Sequence, residues 1–364
     1  MGVLALPGFV DVHVHFRDPG TPAAETTATG LAAAARGGFA AVVNMPHTSP
    51  ACDSAEVIRH QLEMRAALGD GAPLLFPSAC ITKGRLGGEV ADLEALAEAG
   101  AAFFTDDGSY VCDDAVMESA MRRAAALGLV ICEHALDPRI AADGVIRDCP
   151  LARRLGLKVI PAEAESAAIS RDISLCRETG CRLHIQHIST AEGVALVRAA
   201  QREGLPVTAE ATPHHLVFAC DELEADDANF KMAPPLGNRE DRAELRKAVK
   251  EGALMFATDH APHTAEAKAG GFARAANGII GLETAAAATY AVMVEGEGMA
   301  VDAWARAWHD LPLSLLPRRL SEQVTAQSSF EVGSPRPVDI SGFASRSRNC
   351  PWDGMEFSLS PLKR

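Results

Sequence analysis

Short β-branched and apolar runs alternate, again and again, with Ala-, Glu- and Arg-rich stretches of helical period. Eight such runs stand out: Gly8–His15, Ala40–Met45, Leu74–Ile81, Ala101–Thr105, Leu129–His134, Arg182–Ile188, Pro206–Ala211 and Leu254–Asp259. Between them the spacing predicts helices at Ala23–Arg36, Ser54–Leu68, Glu89–Ala99, Asp114–Leu127, Ala164–Thr179, Ala191–Glu203 and Arg239–Lys250. Several of these stop at glycine, as at Arg36-Gly37-Gly38 and Thr179-Gly180, where a left-handed residue closes a helix. Eight strands, each followed by a helix, specify an α/β fold of the (β/α)8 TIM-barrel kind more readily than an open doubly wound sheet. No GxGxxG opens a helix, which weakens a nucleotide-binding alternative. Gly281–Val294 and Val301–Asp310 are expected as closing helices. The barrel should therefore occupy 1–319, with 320–364, richer in Ser, Pro and Arg and poorly periodic, as an extended, partly irregular cap.

Composition narrows the function. The chain has 364 residues, 48% of them hydrophobic and only 5% aromatic, which suits Ala-rich helices packed closely on a sheet around a sizeable core. A formal charge of −14 with no basic stripe argues against a nucleic-acid or anionic-membrane partner. No apolar run reaches the ~20 residues that span a bilayer, and no secretory n- and h-region follows Met1. Nine cysteines without CxxC pairing read as small buried hydrophobes, not as a disulfide framework. The expectation is a soluble cytoplasmic protein.

The chemistry collects at the ends of the runs, where barrel enzymes carry their reactive groups. The first run, GFVDVHVHFRD from Gly8 to Asp18, puts Asp11, His13, His15 and Arg17 on one parity and Val12, Val14 and Phe16 on the other. Two histidines at i and i+2 can reach one metal ion, although a lone His-x-His is a weak signal that a pair of surface histidines also produces. The second run ends at Asn44–His47, the fourth at Asp106 and Asp107, the fifth at Glu133 and His134, the sixth at His187, and the eighth at Asp259, His260 and His263. An aspartate at a strand-to-helix loop is often only a cap. Histidine and aspartate at so many strand ends of one barrel fit four histidines and two carboxylates holding two divalent ions, with one carboxylate shared. Parity alone leaves Asp106 or Asp107, and His184 or His187, open. His214 and His215 are ligand candidates by position.

The runs HVHFRDPG (13–20), FTDDG (104–108), LHIQHIST (183–190), VTAEATPHHL (207–216) and ATDHAPHT (257–264), with GLET (281–284) and SRNCPWDG (347–354), resemble the bacterial type I dihydroorotases of the amidohydrolase superfamily. The resemblance covers nearly the whole chain, in order. It implies a metal set of His13, His15, Asp107, His134, His187 and Asp259 around two zinc ions, with Asp107 bridging and Asp259 catalytic. It implies substrate-carboxylate anchors at Arg17 and His263 and makes His214 and His215 supports of the site. The related hydantoinases, allantoinases and dihydropyrimidinases use a carboxylated lysine at the bridging position; Phe103 to Asp107 contains no lysine, which disfavours them.

The departures cluster at the expected substrate pocket. The family usually has Asn where this chain has His47, Asn-Pro-Pro-Leu-Arg where it has Ala233 to Gly237, and Pro-Phe-Gly where it has Ala276-Asn277-Gly278. His47, Asn277 and Gly278 are therefore expected as substrate-binding residues of a rebuilt pocket. The family's small β-sandwich should be reduced or absent. The resemblance implies reversible interconversion of N-carbamoyl-L-aspartate and L-dihydroorotate in pyrimidine biosynthesis, by a homodimer with aspartate carbamoyltransferase as a further partner. The altered pocket keeps two alternatives in view: a non-catalytic barrel with an assembly role beside that enzyme, and a cyclic amidohydrolase with another substrate.

Overall fold

The computed structural model describes residues 2–362. Ten strands are present among them. β1 (Gly2–Pro7) is followed by β2 (Phe9–Val14), β3 (Phe39–Asn44), β4 (Leu74–Pro77), β5 (Val130–Glu133), β6 (Arg182–Ile185), β7 (Val207–Ala211) and β8 (Met255–Phe256). β9 (Gln327–Pro337) and β10 (Glu356–Pro361) complete the set. β2, β3 and β4 pair in parallel, as do β5 to β8 in sequence. Single parallel bridges join the two sets at both seams. Phe104 bridges Ala79 and Ile131 on one side, and Val14 bridges His260 on the other.

The helices fall where the spacing predicts them. Asp114–Leu127 and Arg239–Lys250 match to the residue, and Glu163–Thr179 and Ala191–Arg202 to within one. The expected strand at Ala101–Thr105 is reduced to one residue, Phe104, bridged on both sides, and the eighth shortens to Met255–Phe256. In both, the chain leaves the ladder early to carry an aspartate into the interior. The closing helix expected over Gly281–Val294 runs from Ala285 as an α-helix to Thr289 and then as a wider π-turn to Gly296.

β2 is buried along its whole length, and its register against β3 shifts between Asp11 and Val14. Strict alternation therefore fails. Val10 and Val12 pack with Val43, Phe103 and Met255, whereas Val14 and Phe16 join the helix-facing core with Leu31 and Phe39. Asp11 leaves the expected row of ligands: it accepts from Thr258 N (3.0 Å) and His13 N (3.1 Å), tying β2 to β8's continuation.

The tail departs from an irregular cap. β9 pairs antiparallel with β1 and with β10, so residues from both ends share one three-stranded sheet. Phe330, fully buried on β9, packs its ring at a tilt against Phe9 with centroids 5.0 Å apart, and the Ser328 hydroxyl accepts from Phe9 N (2.8 Å). All nine cysteines are free, and all but Cys112 are buried. Among the described residues no helix is long and apolar enough to cross a membrane.

Candidate metal centre

Five segments deliver the site. β2 ends in His13 and His15, the loop after Phe104 carries Asp107, β5 runs into His134, β6 into His187 and β8 into Asp259. All six side chains are buried. His187 and Asp259 hold left-handed backbones, at φ 32° and 47°. Such conformations cost of order 1–3 kcal/mol in residues other than glycine and cluster at functional sites.

Asp107 sits at the centre. Its Oδ2 lies 3.1 Å from His15 Nε2, while its Oδ1 lies 3.3 Å from His13 Nε2, 3.5 Å from His187 Nε2 and 3.7 Å from His134 Nδ1. Asp259 Oδ1 stands 3.1 Å from His15 Nε2 and 3.5 Å from His13 Nε2. The ligand atoms form two overlapping groups, His13–Asp107–His187 and His13–His15–Asp259, each with all its atoms within 4.8 Å of one another. His13 Nε2 and Asp107 Oδ1 are buried without a hydrogen-bond partner, and His134 Nδ1 faces His187 Nε2 at 2.9 Å. Lone pairs converging from several imidazoles and two carboxylates fit divalent cations well. Burial alone would push the Asp107 carboxyl up, but His13 and His15 beside it hold it well below the usual carboxylate range.

The alternatives left open by parity separate here. Asp106 turns away from the cluster and accepts from Ile81 N (2.9 Å), Thr82 N (3.1 Å) and the Thr82 hydroxyl. His184 lies one layer below, donating from Nε2 to Glu210 Oε2 at 2.9 Å. His215 bonds Thr212 Oγ1 (2.8 Å) and Pro234 O (3.1 Å), and His214 is buried beside it with Nε2 unpartnered.

Glu210 is the residue that sequence reading missed. It is fully buried on β7 and accepts from His13 Nδ1 (2.5 Å), from His184 Nε2 and from the backbone N–H of His187 (3.2 Å). It thereby fixes the tautomer and tilt of His13, leaving Nε2 free toward Asp107. Burial would raise its carboxyl, yet His13 and His184 bring it down to about 2. Its signal was a carboxylate in the otherwise uncharged run Val207–Ala211, which needs an internal partner.

Above the cluster lies a cavity of about 290 Å³ lined by His15, Arg17, His47, Asp107, His134, His187, Asp259, His263, Asn277 and Gly278, with methyl groups from Ala233, Ala261 and Ala276. All five residues expected to bind substrate are on its wall. Arg17 is steadied by Pro262 O (3.2 Å), and His263 Nε2 donates to Asn277 O (2.7 Å). The His47 ring lies 6.0 Å from that of His15, edge on. Desolvation and the nearby Arg85, His15 and Arg17 push His47 down to about 3, so it is a neutral imidazole. Gly237 explains one departure. A Cβ there would lie 2.5 Å from Ser189 O and 2.6 Å from Asp241 Cβ, so this backbone has no room for a side chain.

The Dihydro-orotase-like family model matches residues 2–193. A dihydroorotase of Bacillus caldolyticus is 42% identical over 360 residues, covering 97% of this chain and 83% of its own. The chain belongs to the dihydroorotase family. A dihydroorotase of Thermus aquaticus is 41% identical over 371 residues, covering 99% of this chain and 87% of its own. Among solved structures, the L-hydantoinase (dihydropyrimidinase) of Arthrobacter aurescens superposes with a TM-score of 0.83 at 25% identity, over 99% of this chain and 83% of that one. The Saccharomyces cerevisiae dihydroorotase in complex with 5-fluoroorotic acid gives 0.76 at 17% identity, over 100% and 99%, a likeness of fold.

Proposed function

We infer that this chain is a zinc-dependent dihydroorotase that interconverts N-carbamoyl-L-aspartate and L-dihydroorotate. One observation carries the reading. Asp107 turns Oδ2 to His15 and Oδ1 to His13, His134 and His187, so both of its oxygens face ligand imidazoles, as a carboxylate shared by two cations would. His13, His15 and Asp259 would hold one zinc ion and His134 and His187 the other, with Asp107 between them. A pair of divalent ions, when bound, acidifies a water and polarises a carbonyl.

The chain's own groups do the rest. Asp259 takes a proton from the attacking water and delivers it to the ring nitrogen as the amide bond breaks. Arg17 offers its planar fork to the substrate carboxylate, with His263 beside it. His47, Asn277 and Gly278 bound the remaining edge of the ring. The methyl group of Ala233 stands where the family pattern has an asparagine, so His47 takes on more of the polar recognition.

The architecture we propose is a closed (β/α)8 barrel, supported by the bridges at both seams, with the three-stranded terminal sheet as the reduced β-sandwich. Cytoplasmic location, homodimer formation and association with an aspartate carbamoyltransferase belong to the same proposal and rest on the family resemblance. The test is dihydroorotate hydrolysis by zinc-loaded protein. Turnover no faster than that of the metal-stripped protein overturns the reading.

A further inference from the structure

The pocket wall from Ala275 to Gly278 has no regular structure of its own, yet each of its four carbonyls accepts from a side chain. Lys231 Nζ donates to Ala275 O (2.6 Å), Lys268 Nζ to Ala276 O (2.9 Å) and His263 Nε2 to Asn277 O (2.7 Å). Gly278 O accepts twice, from Lys268 Nζ (2.9 Å) and Asn349 Nδ2 (3.0 Å). The third donor of Lys268 goes to Lys231 O (3.1 Å), which also receives Gly278 N (2.9 Å). An ammonium has three donors, and all three are committed here to main-chain oxygens. Lys268 makes no ion pair among the described residues, so its charge is not there to neutralise a carboxylate.

Gly278 requires such fixing. Its φ is +144°, and a Cβ there would lie 2.7 Å from Ala261 O and 2.9 Å from the His263 ring. The loop thus lies directly against the strand-eight extension that carries Asp259 and His263. Asn349 closes the bracket: it accepts from His263 N (3.1 Å) and donates to Ala261 O (2.9 Å) as well as to Gly278 O.

We propose that Lys268 is a positioning residue for substrate binding: its ammonium locks the 275–278 loop, and the loop in turn sets Asn277 and the imidazole of His263. Lys268 is absent from the lining of the catalytic cavity, so it acts through those two residues and not on the substrate. The inference rests on the dihydroorotase reading for its substrate and on the loop geometry for its mechanism.

The variants are Lys268→Met, which keeps the stem and removes the charge, and Lys268→Gln, which keeps two N–H donors on a shorter stem and serves if the first folds poorly. The expected result is a split. KM for dihydroorotate rises about tenfold or more, on the scale of one or two lost hydrogen bonds, while kcat stays within about twofold. Bound zinc stays equal to the parent's, because no metal ligand moves. Amide hydrogen exchange in the peptide covering 275–280 should accelerate in both variants, a readout that needs no substrate. An inactive parent would remove the dihydroorotase reading, and the exchange rates would still decide the loop lock. Parent-like exchange overturns the inference, as does an unchanged KM in an active enzyme, or a loss of kcat and zinc together.

Discussion

Glu210 offers the sharpest perturbation of the metal centre from outside it. Two substitutions separate its charge from its bulk. In Glu210→Ala, the buried N–H groups of His13 Nδ1, His184 Nε2 and His187 N all lose their acceptor. All three bonds are to a carboxylate, worth about 1.5–3 kcal/mol each, so the loss is about 4.5–9 kcal/mol. That is a large part of the 5–15 kcal/mol that ordinarily holds a domain folded. Glu210→Gln keeps an acceptor for His13 but turns its NH2 on His184. His184 can answer by changing tautomer, since its Nδ1 faces the Thr208 hydroxyl at 2.9 Å, which both donates and accepts. The glutamine variant should therefore fold with a loss of about 2–3 kcal/mol. It should still bind zinc about ten- to a hundredfold more weakly, the usual effect of removing the partner that orients a ligand histidine. Urea denaturation measures the first quantity and competition with a chromophoric chelator the second. Parent-like zinc affinity in Glu210→Gln would refute the argument that this carboxylate aligns His13.

Other substitutions probe neighbouring links. Asp107→Ala should bring zinc content toward zero and His187→Ala toward one ion, because a shared carboxylate offsets the repulsion of both ions; equal losses by elemental analysis would contradict the shared role. His47→Ala should lower kcat/KM for dihydroorotate by roughly tenfold or more, while His47→Asn retains or raises it; parent-like kinetics for the alanine variant would take His47 out of recognition. Asp172 is fully buried, and burial raises its carboxyl to about 7 even with the Arg171 guanidinium 2.9 Å away. A raised carboxyl favours the folded state below its unfolded value and loses that advantage as pH climbs through the folded one. Asp172→Asn should therefore gain stability relative to the parent between about pH 4 and 7, by urea denaturation; a difference independent of pH would falsify this.

The sequence was most readable where one physical signal dominated. Asp114–Leu127 and Arg239–Lys250 could be bounded because a capping Asp113 or Asn238 precedes an amphipathic run. His13, His15 and His134 could be singled out as imidazoles at strand ends, whereas His187 was separated from His184 only by the family resemblance. Segments whose backbone serves the site were harder. Thr105–Asp107 and Thr258–Asp259 carry strand-like residues but leave the ladder, and nothing local in the chain announces the left-handed turn at Asp259. The shift in β2 escaped for the same reason: a regular alternation is the default reading, while the bulge depends on Asp11 finding Thr258, distant in sequence. The tail's strands were missed although Ser328 and Phe330, and Phe357 and Leu359, are buried at period two. Ser and Pro around them hid an edge-rich sheet completed by β1 from the other end of the chain. Lys268 could not be read at all, since its partners are main-chain oxygens, which carry no sequence label.

The central claim is that two zinc ions held by these six side chains make the chain a dihydroorotase. The most direct measurement is the initial rate of N-carbamoyl-aspartate formation from dihydroorotate, recorded while zinc is added to the stripped protein. The account predicts a rate that climbs until about two ions are bound per chain and that stays at background throughout in Asp259→Asn. A rate that ignores added zinc, or that reaches its plateau at one ion, would contradict it.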